Sequence, residues 1–145
     1  MRVIFTIPGE PQGKGRPRFA RAGSYVRTYT PDKTAAYENL VKLEYERQCK
    51  ERFPDNAMLD MRIVAYYGVP KSASKKKRRA MLSNEIRPTK KPDMDNITKV
   101  IADSLNQVAY KDDTQIVDAQ VRKFYSEDPR VVVIIQEANG YGKAN

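Results

Sequence analysis

The sequence predicts a mixed α/β fold of the α+β kind, a single small domain in which helices pack on a mixed β-sheet. Three observations predict it. A chain of 145 residues with 40% hydrophobic content suffices for one core and is too short for two ordinary ones. Strand-like runs open and close the chain, and two segments between them carry helical periodicity.

Arg2 to Ile7 is short and β-branched, which predicts a strand. The next stretch, PGEPQGKGRPRFARAGS, holds four glycines and three prolines in seventeen residues and reads as a loop. Thr30-Pro31-Asp32 offers a capping hydroxyl, a proline at the first helical position and an acid in the first turn, so a helix opens there and runs to about Arg52. Its buried stripe is expected from Ala36, Leu40 and Leu43 with Tyr37, Val41 and Tyr45.

Met58 to Val69 begins with alternation, Asp60 and Arg62 against Leu59, Met61, Ile63 and Ala65, and predicts a second strand closed by Pro70. KSASKKKRRAMLSNEIRPTKKP carries nine Lys and Arg against the single Glu85 and predicts a short helix followed by a loop. Asn96 to about Asn106 predicts a helix capped by Asp95 or Asn96, its apolar stripe formed by Ile97, Val100, Ile101 and Leu105. Ile116 to Tyr125 and Arg130 to Gln136 predict two strands joined at SEDP, the second apolar enough to be central. The domain is expected over residues 1–137, with 138–145 a frayed tail.

The charge of +9, from 27 Lys and Arg against 18 Asp and Glu, attracts a polyanion, and nucleic acid is the expected partner. No stretch approaches the roughly 20 apolar residues of a membrane span, and the apolar run in MRVIFTIPGEP is too short for a signal peptide. The expected location is the cytoplasm. Cys49 stands alone, so no internal disulfide forms, and its helical setting suggests a packing or surface thiol rather than a nucleophile. The chain has no histidine. That excludes Ser-His-Asp and Cys-His triads, histidine bases and His-ligated zinc or iron, and leaves carboxylates, lysines and hard cations such as Mg²⁺ or Mn²⁺.

Five of the ten aspartates fall between Asp93 and Asp113, opposed only by Lys99 and Lys111, a local net of −3. Asp93 and Asp95 stand two residues apart and can converge on one ion at a helix entrance; Asp112 and Asp113 enter a strand after the helix. Carboxylates gathered in this way hold a cation that activates water and stabilises charge on a scissile phosphate. Lys99 shares a helix face with Asp95 and Asp103 and suits either a phosphodiester site or an ordinary ion-pair ladder. The acids equally suit a solvated surface or a set of helix caps. An EF-hand is excluded, because Ile97, Thr98 and Ser104 stand where its ligands and turn glycine belong. Gly9 to Gly15 lacks the spacing and the hydroxyl of a P-loop, so no nucleotide cofactor is expected.

Lys14, Arg16, Arg18, Arg21 and Arg27, interleaved with Phe19, Tyr25 and Tyr29, predict a flexible arm that follows a phosphate backbone. Lys75, Lys76 and Lys77 open a second basic run, through Arg79. Two cationic segments flanking an acidic pocket suit a phosphodiester substrate.

The segments Lys91-Pro-Asp-Met-Asp-Asn-Ile-Thr-Lys99, Asp103-Ser-Leu-Asn106 and Tyr110-Lys-Asp-Asp-Thr-Gln-Ile116 resemble the signature of RusA-type Holliday-junction resolvases. Pro8 to Phe19 and Tyr29 to Thr34 are similar to that family's opening. The resemblance implies a homodimeric α/β fold and Mg²⁺-dependent cleavage of four-way DNA junctions, often in phages and prophages. It implies Asp93, Asp95 and Asp113 as metal-binding catalytic carboxylates, Lys99 as the assisting lysine, and Asp112 as the adjacent acid. The sequence departs from the pattern in a compact turn, Asn106 to Lys111, and a long basic insert before Lys91. A four-way junction has approximate two-fold symmetry, which an isologous dimer matches. A non-catalytic basic DNA-binding protein and a Mg²⁺-dependent nuclease acting on flaps, forks or RNA are the alternatives.

Overall fold

Strict alternation of apolar residues builds the centre of the molecule. In the computed structural model, which describes residues 1–15, 18–23, 25–29 and 31–140, strand β4 (Leu59–Gly68) points Leu59, Met61, Ile63, Ala65 and Tyr67 inward, each almost fully buried. Asp60, Arg62, Val64 and Tyr66 point the other way. β4 pairs antiparallel with β6 (Arg130–Glu137) and parallel with β5 (Ile116–Ser126); β6 also pairs antiparallel with β1 (Arg2–Pro8). The four-stranded sheet therefore runs β1-β6-β4-β5, with β6 interior, as its apolar sequence predicts.

Helices α1 (Asp32–Gln48) and α3 (Met94–Ser104) cover one face, where Tyr37, Val41, Tyr45, Ile97, Val100 and Ile101 join the inward strand residues in one buried cluster. Helix α2 (Lys75–Leu82) lies against β5, its first turn capped by the Ser74 hydroxyl. The result is an α+β single domain with a mixed sheet. No helix among the described residues is long and apolar enough to cross a membrane.

Several boundaries differ from the sequence reading. The Gly/Pro-rich segment is not all loop: strands β2 (Arg18–Ala22) and β3 (Tyr25–Tyr29) form an antiparallel hairpin, turned at Gly23, whose φ of +67° favours glycine. Pro31, with no side-chain cap bond, precedes α1, and Thr30 lies outside the described residues. The helix ends at Gln48 rather than near Arg52, because Cys49 turns extended and lets Phe53 bury itself and donate its N–H to Ala109 O at 2.8 Å. Ala36 and Leu43 are exposed; Thr34 and Glu44 are buried in their place.

Helix α3 starts two residues early, with Asp93 as its cap rather than Asp95 or Asn96, and stops at Ser104 rather than Asn106. Its stripe of Ile97, Val100, Ile101 and Leu105 is buried as expected. Cys49 is buried. Residues 141–145 of the expected tail lie outside the described residues.

Candidate active site

Two ends of α3 and one glycine-flanked lysine define the site. At the helix entrance Asp93 accepts a hydrogen bond from Asn96 N at 3.3 Å, with Asp95 in the first turn, where the helix dipole favours both negative charges. The carbonyl just before them is fixed from below: the hydroxyl of buried Tyr67, at the end of β4, donates to Pro92 O at 2.5 Å. Burial and the nearby charges of Asp93 and Glu10 push that phenol well above its usual range. Lys123, on β5, stands over the Tyr67 ring at 5.0 Å; burial lowers its pKa while Asp93 opposes the shift.

Two residues beyond the C-terminal end of α3, Asn106 clamps the strand entry, accepting Asp113 N at 2.8 Å and donating to the Asp113 carboxylate at 3.4 Å. Asp112 and Asp113 have different environments. Asp112 caps the short 3₁₀ turn at 113–115 through Thr114, which holds its carboxyl below the usual range. Burial and a hydrogen bond with Asp103 push Asp113 up, with further repulsion from the charges of Asp112 and Asp103. Burial resists ionisation of Asp103, yet the Lys14 and Asp113 hydrogen bonds and the charges of Lys14 and Lys99 hold it low.

Lys14 is the unforeseen member of this cluster. Its ammonium lies 2.7 Å from Asp103 Oδ2 and 3.7 Å from Glu38 Oε2. Its own N–H donates to Asn96 Oδ1 at 3.0 Å, and that of Gly15 to Thr34 Oγ1 at 2.8 Å. The strap fits so closely that a Cβ on Gly13 would stand 2.2 Å from Asn96 Nδ2, and one on Gly15 2.8 Å from Thr34 Oγ1. Here the expected flexible arm is a pinned strap, followed by the hairpin. Lys99 Nζ lies 3.7 Å from Asp103 Oδ2, one half of the anticipated ladder; it makes no salt bridge with Asp95 among the described residues.

A groove of about 1300 Å³ opens between the strap and the start of α3, lined by Lys14, Lys33, Lys91, Asp93, Asp95 and Lys99 among others. Asp103 and Asp113 are not in its lining and connect to it through Lys14. Among the described residues no three acidic side chains surround a common point. The donors are nonetheless of one chemistry: carboxylates and an amide without histidine, which suit a hard oxygen-liganded cation. A carboxylate pair as close as Asp103 and Asp113 is also an arrangement that positive charge relieves.

Lys75, Lys76, Lys77 and Arg21 are exposed. Arg16 and the side chains of Arg18 and Arg27 lie outside the described residues. Sequence reasoning misses Lys33, Lys91, Asn96, Glu38 and Lys123. Lys91 and Asn96 adjoin the acidic motif and are the findable ones; Glu38 and Lys33 reach the site only through the packing of α1.

The family model described as endodeoxyribonuclease RusA matches residues 8–136. The uncharacterized protein YqaN of Bacillus subtilis (strain 168) is 40% identical over 139 residues, 94% of this chain and 97% of the relative.

Proposed function

The chain belongs to the RusA endodeoxyribonuclease family, and from that premise we propose that it is a Mg²⁺-dependent, homodimeric resolvase of four-way DNA junctions, acting in recombination and repair in the cytoplasm of a bacterial or phage-infected cell. The observation that carries this reading is the placement of Asp93, Asp95 and Lys99 in one groove rimmed by Lys14, Lys33 and Lys91. Acids and cations side by side suit a phosphodiester better than either set alone.

In this reading Asp93 and Asp95 would hold Mg²⁺, with Mn²⁺ as substitute, from the groove lining, Asp113 would join them from beside the groove rather than from its lining, and Asp112 stays occupied as a cap. The bound ion supplies an activated water and charge stabilisation at the phosphate. Lys33 and Lys91 grip the strand on either side. Lys99 neutralises a phosphate oxygen when it leaves Asp103, a partner it holds only at 3.7 Å. Tyr67 keeps the Asp93 backbone in place.

Incubation with labelled four-way junction, matched duplex and flap DNA tests the proposal, with Mg²⁺ and with EDTA. The expected result is paired, symmetric nicks in the junction alone, abolished by EDTA. Equal cutting of flap and junction would instead assign a broader nuclease, and tight junction binding with no cutting in Mg²⁺ would assign a non-catalytic binder.

A further inference from the structure

The sheet face turned away from α1 and α3 carries a row of stacked cations. Arg130, Tyr66 and Phe124 are register partners across β6, β4 and β5, so their side chains share one face. The Arg130 guanidinium lies 4.0 Å from the Tyr66 ring centre, and the Tyr66 and Phe124 rings are 6.1 Å apart. Phe124 is flanked by two more guanidiniums, Arg87 at 4.3 Å and Arg122 at 5.0 Å.

These arginines are held without being neutralised. Arg87 donates Nε to Lys123 O at 2.9 Å, and Arg130 donates NH1 to Ser126 Oγ and Asp128 O. Among the described residues none of the three forms a salt bridge with a carboxylate. Stacking on a ring fixes a guanidinium plane while leaving its remaining N–H groups for an oxyanion.

Position adds to the argument. β5 is an edge strand, and its alternation places Arg122 and Phe124 on the outer face while Lys123 reaches the groove side, near Tyr67 and Asp93. Helix α2, with exposed Lys75, Lys76, Lys77 and Arg79, lies against the same strand. Groove side, edge and outer face thus each present cations around β5.

Resting on the nuclease reading above, we infer that Arg87, Arg122 and Arg130 form a second phosphate-binding surface, which holds a duplex arm of branched DNA as it leaves the groove. A second copy of the chain fits this spot poorly, because an isologous interface centred here would bring guanidiniums against guanidiniums.

The test measures junction affinity by fluorescence anisotropy across a salt series in EDTA, for the wild type, the double variant Arg87→Gln/Arg122→Gln and the double variant Arg87→Lys/Arg122→Lys. Both residues are exposed, and a thermal melt verifies folding. The Gln variant should bind the junction more weakly, with the slope of log affinity against log salt falling by about 0.9 for each phosphate that the protein ceases to neutralise. The Lys variant should recover most of that slope.

A wild-type slope in the Gln variant, while the wild type still cleaves, overturns the second surface and leaves the nuclease reading intact. Weakened self-association in sedimentation with unchanged DNA binding also overturns it and assigns the face to protein association. A wild type that neither cuts nor prefers the junction removes both readings.

Discussion

The ammonium of Lys14 lies 2.7 Å from Asp103 Oδ2, joining a strap near the amino terminus to the last turn of α3 across 89 residues of chain. Both side chains are about three-quarters buried, so the pair is partly shielded from solvent. The strap has no secondary structure, and two backbone hydrogen bonds, to Asn96 and Thr34, hold it down beside this ion pair. Removing either partner should leave the other charge half-desolvated. In urea denaturation we expect Lys14→Met and Asp103→Asn each to destabilise, and the double variant to cost less than their sum, with a coupling on the order of 1 kcal/mol. Strict additivity would mean that the two do not interact in solution.

The Asp95 side chain makes no salt bridge or hydrogen bond among those described, while Asp93 is a helix cap and Asp113 is bonded to Asn106 and crowded by Asp103. Asp95 is therefore the acid whose removal perturbs the fold least. Asp95→Asn keeps side-chain volume and deletes one charge, so cleavage should fall by roughly 100-fold or more if it is an ion ligand. Junction binding should persist or tighten, since one phosphate repulsion is gone. Wild-type cleavage rates in Mg²⁺ would remove Asp95 from the site.

The legible parts of this molecule are those written as local pattern. The period-2 alternation of β4 and the apolar stripe of α3 mark their buried faces, because burial on one side leaves a repeat in the chain. The acidic motif is legible as residue type and spacing. What stays hidden depends on residues distant in sequence. Nothing near Lys14 says that its charge is met by Asp103 and Glu38, although the glycines on either side indicate a close approach. The end of α1 is obscured because helix-compatible residues continue to Arg52; burial of Phe53 ends it sooner. The Asp93 cap is hard to place from sequence, since Asp95 and Asn96 are equally good capping types.

Crowded carboxylates repel, so a divalent cation should stabilise the native chain more than the unfolded one. Mg²⁺ at one hundred times its dissociation constant adds about 2.7 kcal/mol, several degrees of Tm for a domain of this size. The gain should vanish in the triple variant Asp93→Asn/Asp95→Asn/Asp113→Asn, whose melting without metal should not fall far, as Asn retains capping ability at 93 and reaches the Asn106 amide at 113. A Mg²⁺ shift surviving in the variant would place the ion elsewhere.

Gly13 tests the strap without touching a charge. Its absent side chain is what lets Asn96 reach Lys14 N, and a methyl group there would stand 2.2 Å from Asn96 Nδ2 and 2.8 Å from its Cγ. Gly13→Ala must push the Asn96 amide aside, losing that hydrogen bond and lifting one wall of the groove. The stability loss should be modest, about 1 kcal/mol, because the hydrogen bond is part-buried and at the rim. Cleavage should fall further than stability does, since the displaced residues adjoin Asp95 and carry Lys14. The decisive comparison is with Asn96→Ala, which removes both the clash and the bond. Added to that background, Gly13→Ala should have little further effect on melting or cleavage; an undiminished loss would show that the strap is held by something other than Asn96.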